Sequence, residues 1–140
     1  MKQIIMTDKR FALDTNVLIY LEGNDAAKRG IAEDLLSLAP VIPSQVVTEF
    51  LNVTCRLRKI SKLQALNEAA ILFADCRIAP LQNSSLDLAI KFIQKYDFQL
   101  FDSLIVALAF EADCEVLYTE DMSNGLWVNK KLKIVNPFNN

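Results

Sequence analysis

The pattern that most limits this chain is the alternation of short apolar runs with longer stretches at helical spacing. FALDT (11–15) reads as a short strand that turns into a helix at NVLIYLEG, stopped by Gly23. NDAAKRGIAEDLLSLA (24–39) has apolar residues at helical intervals, with Asn24 or Asp25 available as cap. PVIP (40–43) is a brief strand bounded by prolines, and Ser44 is placed to cap a helix over 45–59. Ser61-x-x-Gln64 and Ser84-x-x-Asp87 resemble capping boxes that open helices over 62–74 and 85–96, with the strand CRIAPL (76–81) between them. A further helix over 101–112 precedes the strands EVLYT (115–119) and KIV (133–135). Such alternation implies right-handed βαβ units: an α/β chain whose mainly parallel sheet is covered on both faces.

The 140 residues suit one domain, spanning 1–140, and a hydrophobic fraction of 52% supports a packed core. No apolar stretch approaches the roughly 20 residues needed to cross a bilayer. MKQIIMTDKR lacks the apolar region and cleavage site of a secretory signal, so a cytoplasmic protein is expected. Cys55, Cys76 and Cys114 are far apart and form no C-x-x-C pair, which argues against a zinc site or a disulfide framework. The chain has no histidine. Ser-His-Asp and Cys-His mechanisms, imidazole bases and His-ligated zinc are therefore excluded together. Chemistry must come from carboxylates, lysines, hydroxyls or a bound ion. A formal charge of −2 does not mark a nucleic-acid binder, although Arg56, Arg58, Lys59 and Lys62 cluster in CRLRKISK and a second cluster lies in NKKLK (129–133). For either run alone, a solvated surface is the plainer reading.

Three nearly uncharged windows are each interrupted once, each time by an acid. FALDTNVLIYL is broken by Asp14, PVIPSQVVTEFLNVTC by Glu49 and FQLFDSLIVALAF by Asp102. Glu49 shares a helical stripe with Val46, Phe50 and Val53, and Asp102 shares one with Ile105, Val106 and Ala109. Both acids thus sit in rows that should face inward, where an unpaired carboxylate is costly. Asp14 and Asp121 follow presumed strands and leave the carboxyl edge of the sheet, where ligand sites form in open α/β folds. Asp102 and Glu49 lie early in helices that open at the same edge. Taken singly, Asp14 has a capping role available, Asp121 a turn role and Asp102 a favourable place near a helix N-terminus.

Converging carboxylates raise one another's pKa unless a cation neutralises them. Oxygen donors without nitrogen or sulfur suit Mg²⁺ or Mn²⁺, which activate water and stabilise phosphoryl transfer. Phosphodiester hydrolysis is the reaction class this donor set fits.

D-T-N-V-L-I, the lone Glu in I-P-S-Q-V-V-T-E-F, F-D-S-L-I-V-A-L-A, L-Y-T-E-D-M-S-N-G and the closing V-N-P-F resemble, in order and spacing, the motifs of PIN domains, and in particular bacterial toxins of the VapC type. The resemblance spans nearly the whole chain. It implies a three-layer α/β/α fold and a metal-dependent endoribonuclease that leaves a 5′-phosphate and a 3′-hydroxyl. It carries an acidic quartet onto Asp14, Glu49, Asp102 and Asp121 as catalytic and Mg²⁺- or Mn²⁺-binding residues. Asn16 and Thr119 match supporting positions, and Glu120, beside the fourth acid, stands ready to assist or replace it. Ser103 stands where alanine is common. The resemblance also implies a homodimer, an RNA substrate and a small cognate antitoxin, with Arg56, Arg58 and Lys59 as candidates for RNA phosphate contacts. A non-catalytic PIN-like module that binds RNA or protein remains the alternative. A receiver-type phosphoacceptor or a D-x-D phosphatase fits less well, because the first strand offers one acid where they use two.

Overall fold

The computed structural model describes residues 9–139; the signal-free reading of the first eight residues lies outside them. Strand β1 (Phe11–Leu13) leads into a short helix α1 (Thr15–Ile19), continued by a 3-10 turn over Tyr20–Glu22. There follow α2 (Ala26–Leu36), β2 (Val41–Pro43), α3 (Ser44–Arg58), α4 (Lys62–Leu72) and β3 (Arg77–Ala79). The chain is completed by α5 (Asn83–Tyr96), α6 (Leu100–Glu111), β4 (Val116–Tyr118), β5 (Trp127–Val128) and β6 (Leu132–Val135).

The strands form one sheet in the order β3-β2-β1-β4-β6-β5, parallel throughout except for the β5–β6 pair. This is the mainly parallel α/β/α arrangement expected from the alternation of strands and helices. FAL, VIP and VLY are buried at every position, as strands covered on both faces must be. At the two sheet margins the pattern relaxes. Arg77 and Ile78 of β3 are exposed, while β6 alternates buried Leu132 and Ile134 with half-buried Lys133 and Val135. Helix α6 is buried nearly all round, from Ile105 through Ala109, and packs on α5, α3, β2 and β3.

The chain runs outward from β1 to β2 and β3 on one side, then returns to place β4 on the other. The step between β1 and β4 is therefore the topological switch point, where the loops after neighbouring strands diverge and open a crevice. The Asp14 amide donates to the Tyr118 carbonyl at 3.0 Å, so the ladder continues to the point where both chains leave the sheet.

Several local expectations are corrected. β5 was not anticipated, since two residues are too few to show a period. Ser44 is the first residue of α3, not its cap; Pro43 precedes it and supplies no side-chain bond. Asp25 and Ser61 cap α2 and α4 by accepting from the Lys28 and Gln64 amides. The box expected at Ser84 is not formed: Ser85 accepts from the Gln82 amide, and Ser84 turns its hydroxyl to Glu111. Among the described residues no helix is long and apolar enough to cross a membrane.

Leu117, fully buried at the centre of β4, tests the packing. Leu117→Ala is expected to cost about 2–5 kcal/mol in urea denaturation, because a rigid sheet sandwiched by helices cannot collapse into the space left behind. A cost well below this range would show the centre of the sheet to be loosely packed.

Candidate active site

Asp14 ends β1 with extended backbone and serves as the N-cap of α1. Its Oδ1 accepts from the Thr15 amide at 2.7 Å, while Oδ2 accepts from the Thr119 hydroxyl at 2.8 Å and from Asn16 Nδ2 at 3.4 Å. Thr119 is the first residue past β4 and is wholly buried. The partner that fixes Asp14 therefore comes from the other strand of the switch point. Asn16 binds the same pair from a third side: Nδ2 also donates to Thr119 Oγ1 at 3.2 Å, and its Oδ1 accepts the Glu120 amide at 3.0 Å. The capping role and a place in an acidic site are thus filled by one carboxylate.

Asp14 is only 5% exposed. Burial pushes its pKa up to about 6 from 3.8; the Thr119 and Thr15 hydrogen bonds work against the rise, and repulsion from Asp102 and Glu49 adds to it. Asp102, half-buried in the first turn of α6, is raised by burial and then by repulsion from Asp121 and Glu49. The structure thus brings Asp102 within electrostatic reach of Asp14, Glu49 and Asp121, and Glu49 within reach of Asp14, from four chain segments. Glu49 is held by the Thr15 hydroxyl at 2.7 Å and by Gln45 Nε2 at 3.5 Å. Its stripe faces as the sequence pattern implied, with Val46 and Phe50 buried and Glu49 and Val53 half-buried. Asp121 is exposed, and its amide donates to Thr119 Oγ1 at 3.3 Å.

Two other expectations are revised. Glu120 does not turn toward the acids: its carboxylate accepts from the Tyr20 hydroxyl at 2.7 Å and pairs with Lys28 Nζ at 2.8 Å. Arg58 is engaged by Glu22 at 3.1 Å and by Glu68, so it links α3 to the 3-10 turn and to α4. Arg56 and Lys59 are exposed at the end of α3. At about 1.5 Å per residue, Arg56 lies roughly 10 Å along the helix from Glu49, away from the strand-end rim. Ser103 disturbs nothing, since its hydroxyl donates to the Leu100 carbonyl at 2.6 Å. Sequence reasoning missed Thr15 and Gln45 as holders of Glu49. Gln45 lies one turn before Glu49 and was findable, whereas Thr15 is 34 residues away and gave no local signal.

The side chains gathered at this rim offer hard carboxylate and hydroxyl oxygens, which suit a divalent cation such as Mg²⁺ or Mn²⁺. Among the described residues no three acidic or thiol side chains are already drawn into a closed metal cage. That is compatible with an ion held through one or two carboxylates and its own waters. A cation there would also offset the burial and the repulsion that together hold Asp14 and Asp102 above the usual carboxylate range.

A raised carboxylate pKa makes folding favour the protonated form. The associated cost is absent below about pH 4 and grows as pH rises through 6, to about 3 kcal/mol for a shift of this size. Asp14→Asn should therefore raise the melting temperature of the metal-free protein at pH 7.5 by several degrees. The gain should shrink toward zero at pH 4, as followed by circular dichroism. An equal gain at both pH values would show that the Asp14 charge is not the source of the strain.

The PIN domain family model matches residues 11–123. No curated protein matches the chain in sequence. Among solved structures, a toxin–antitoxin complex from Klebsiella pneumoniae superposes with a TM-score of 0.67 at 20% identity, covering 91% of this chain and 97% of that one. The toxin VapC20 of Mycobacterium tuberculosis, described as cleaving the sarcin–ricin loop, gives 0.61 at 19% identity over 79% and 89% of the two chains. FitAcB from Neisseria gonorrhoeae gives 0.65 at 18% identity over 91% and 98%. At these identities the likeness speaks to the fold. The family match, however, begins at the first residue of β1 and runs past the strand-end loop bearing Asp121, so it contains every acid of the rim: this chain belongs to the PIN domain family.

Proposed function

We propose that this protein is a metal-dependent endoribonuclease, the toxin of a toxin–antitoxin pair. The observation that carries the reading is the gathering of acids at the β1–β4 switch point: Asp14, set in a hydrogen-bonded cradle, feels Asp102 and Glu49, and Asp102 feels Asp121 and Glu49. A structural role alone gives no reason to gather such a group. Bound among these acids, Mg²⁺ or Mn²⁺ would acidify a water and offset charge on a transferring phosphoryl group.

The chain's own contribution is preorganisation. Thr119 and the Thr15 amide fix the plane of the Asp14 carboxylate, and Asn16 holds the loop after β4 against it. Glu49 is oriented by Thr15 and Gln45, so its carboxylate has a defined position before substrate arrives. Asp102 lies in the first turn of α6, where the helix N-terminus favours an anion and offsets part of the repulsion. Asp121 is the most exposed of the four and acts on Asp102. RNA is supported as the substrate by the sarcin–ricin loop named for the neighbour VapC20, and a small antitoxin partner by the toxin–antitoxin complexes among the neighbours. Of the three basic residues at the end of α3, Arg56 and Lys59 stay exposed to contact RNA beyond the rim, while Arg58 already has its acids.

Purified without a partner, the protein is expected to cut structured RNA with Mg²⁺ or Mn²⁺ and to lose activity in EDTA. Asp14→Asn and Asp102→Asn should each lower the cleavage rate by about a hundredfold or more, measured from end-labelled RNA on denaturing gels. Cleavage undiminished in both variants would sink the assignment and leave a non-catalytic RNA- or protein-binding module.

A further inference from the structure

The loop Thr119–Glu120–Asp121 carries one proposed ligand and the hydroxyl that fixes another, yet it lies beyond the end of β4. Backbone pairing with β6 reaches Thr119, whose amide donates to the Val135 carbonyl at 3.0 Å. Beyond it, the Glu120 and Asp121 amides are held by side chains, Asn16 Oδ1 and Thr119 Oγ1. What holds the loop from outside is Glu120. Its two carboxylate oxygens take separate partners: Oε1 accepts from the Tyr20 hydroxyl and Oε2 pairs with Lys28 Nζ. Lys28 Nζ also donates to the Tyr20 hydroxyl at 3.2 Å, closing a three-membered ring of polar contacts. The same ammonium lies 4.8 Å from the centre of the Tyr20 ring and 5.3 Å from that of Phe138, and the two rings meet edge to face at 4.9 Å.

The 3-10 turn after α1 and helix α2 thus both hold Glu120, and Phe138 packs against the Tyr20 and Lys28 side chains that do so. Lys28 and Glu120 keep 32% and 25% of their side-chain surface exposed, so their pairing is a weak source of global stability. Its geometric effect is local and specific. With both oxygens of Glu120 bound, the residue from which the chain enters Asp121 is tied to the 3-10 turn and to α2.

We infer that Lys28, Tyr20 and Glu120 form an external clamp that positions the Asp121 loop against Asp14, making Lys28 and Glu120 positioning residues for the reaction proposed above. This rests on that reading for its functional consequence, but the clamp itself is a property of the fold. It also explains why Glu120, although adjacent to Asp121 in sequence, is not an alternative ligand.

The test uses Lys28→Met, Lys28→Arg and Glu120→Gln in the full chain. In the metal-free protein, hydrogen exchange of the Glu120 and Asp121 amides, read by NMR, should speed up by about tenfold or more in Lys28→Met and Glu120→Gln, while the amides of β1 keep parental protection. With RNA, kcat should fall by about tenfold or more with KM within about twofold, because displacement of an acid affects the reacting geometry more than substrate binding. Lys28→Arg, which keeps the cation, should recover most of both losses. Unchanged exchange at the two amides would overturn the clamp. So would a kcat loss that Lys28→Arg does not rescue and that tracks a lowered melting temperature. A parent that cuts no RNA would instead refute the nuclease reading, and the exchange result would still decide the clamp.

Discussion

The structure turns on a carboxylate placed where water hardly reaches. Asp14 follows three fully buried residues of β1 and is itself almost covered. Its three hydrogen bonds, from the Thr15 amide, the Thr119 hydroxyl and Asn16, favour the ionised form. Burial and the neighbouring acids oppose it and prevail, which is why its pKa settles near 6 instead of below 4. Apolar packing of the central strands supplies the stability that allows such a group to persist. The strain is local and lies where the chain's chemistry would be done.

The sheet order makes that location possible. With β4 beside β1, Thr119 can reach Asp14, and the helices that follow β1 and β2 begin at the same rim. The order also gives the rim its charge. Acids gather at the strand ends, while the basic end of α3 points away and Arg58 is consumed in structural pairs. A polyanionic substrate meeting an acidic rim requires a cation between them. The proposed divalent ion would meet that electrostatic need as well as the chemical one.

Much of this was legible in particular residues. The stripes carrying Glu49 and Asp102 follow from helical periodicity, and α2 and α4 open where Asp25 and Ser61 cap them. Single acids in apolar windows pointed to all but the exposed member of the rim. The misreadings share a cause. Ser44 and Ser84 have the residue type for a cap, but cap formation depends on backbone angles that pattern does not encode. Arg58 looked like part of a basic patch, and only α4 and the 3-10 turn folding against it reveal Glu68 and Glu22.

By itself, the sequence determined the alternation of strands and helices, the burial of FAL, VIP and VLY, and the identity of the acids that disobey their surroundings. These are local properties, written in spacing and side-chain chemistry over a dozen residues. Tertiary structure alone decided which strands are neighbours, that Thr119 and not a nearer hydroxyl holds Asp14, and that Glu120 turns outward to Lys28 while Asp121 stays at the rim. Those contacts join residues 92 and 105 positions apart, and their partners are selected by how helices pack on a twisted sheet, which no short window of sequence contains.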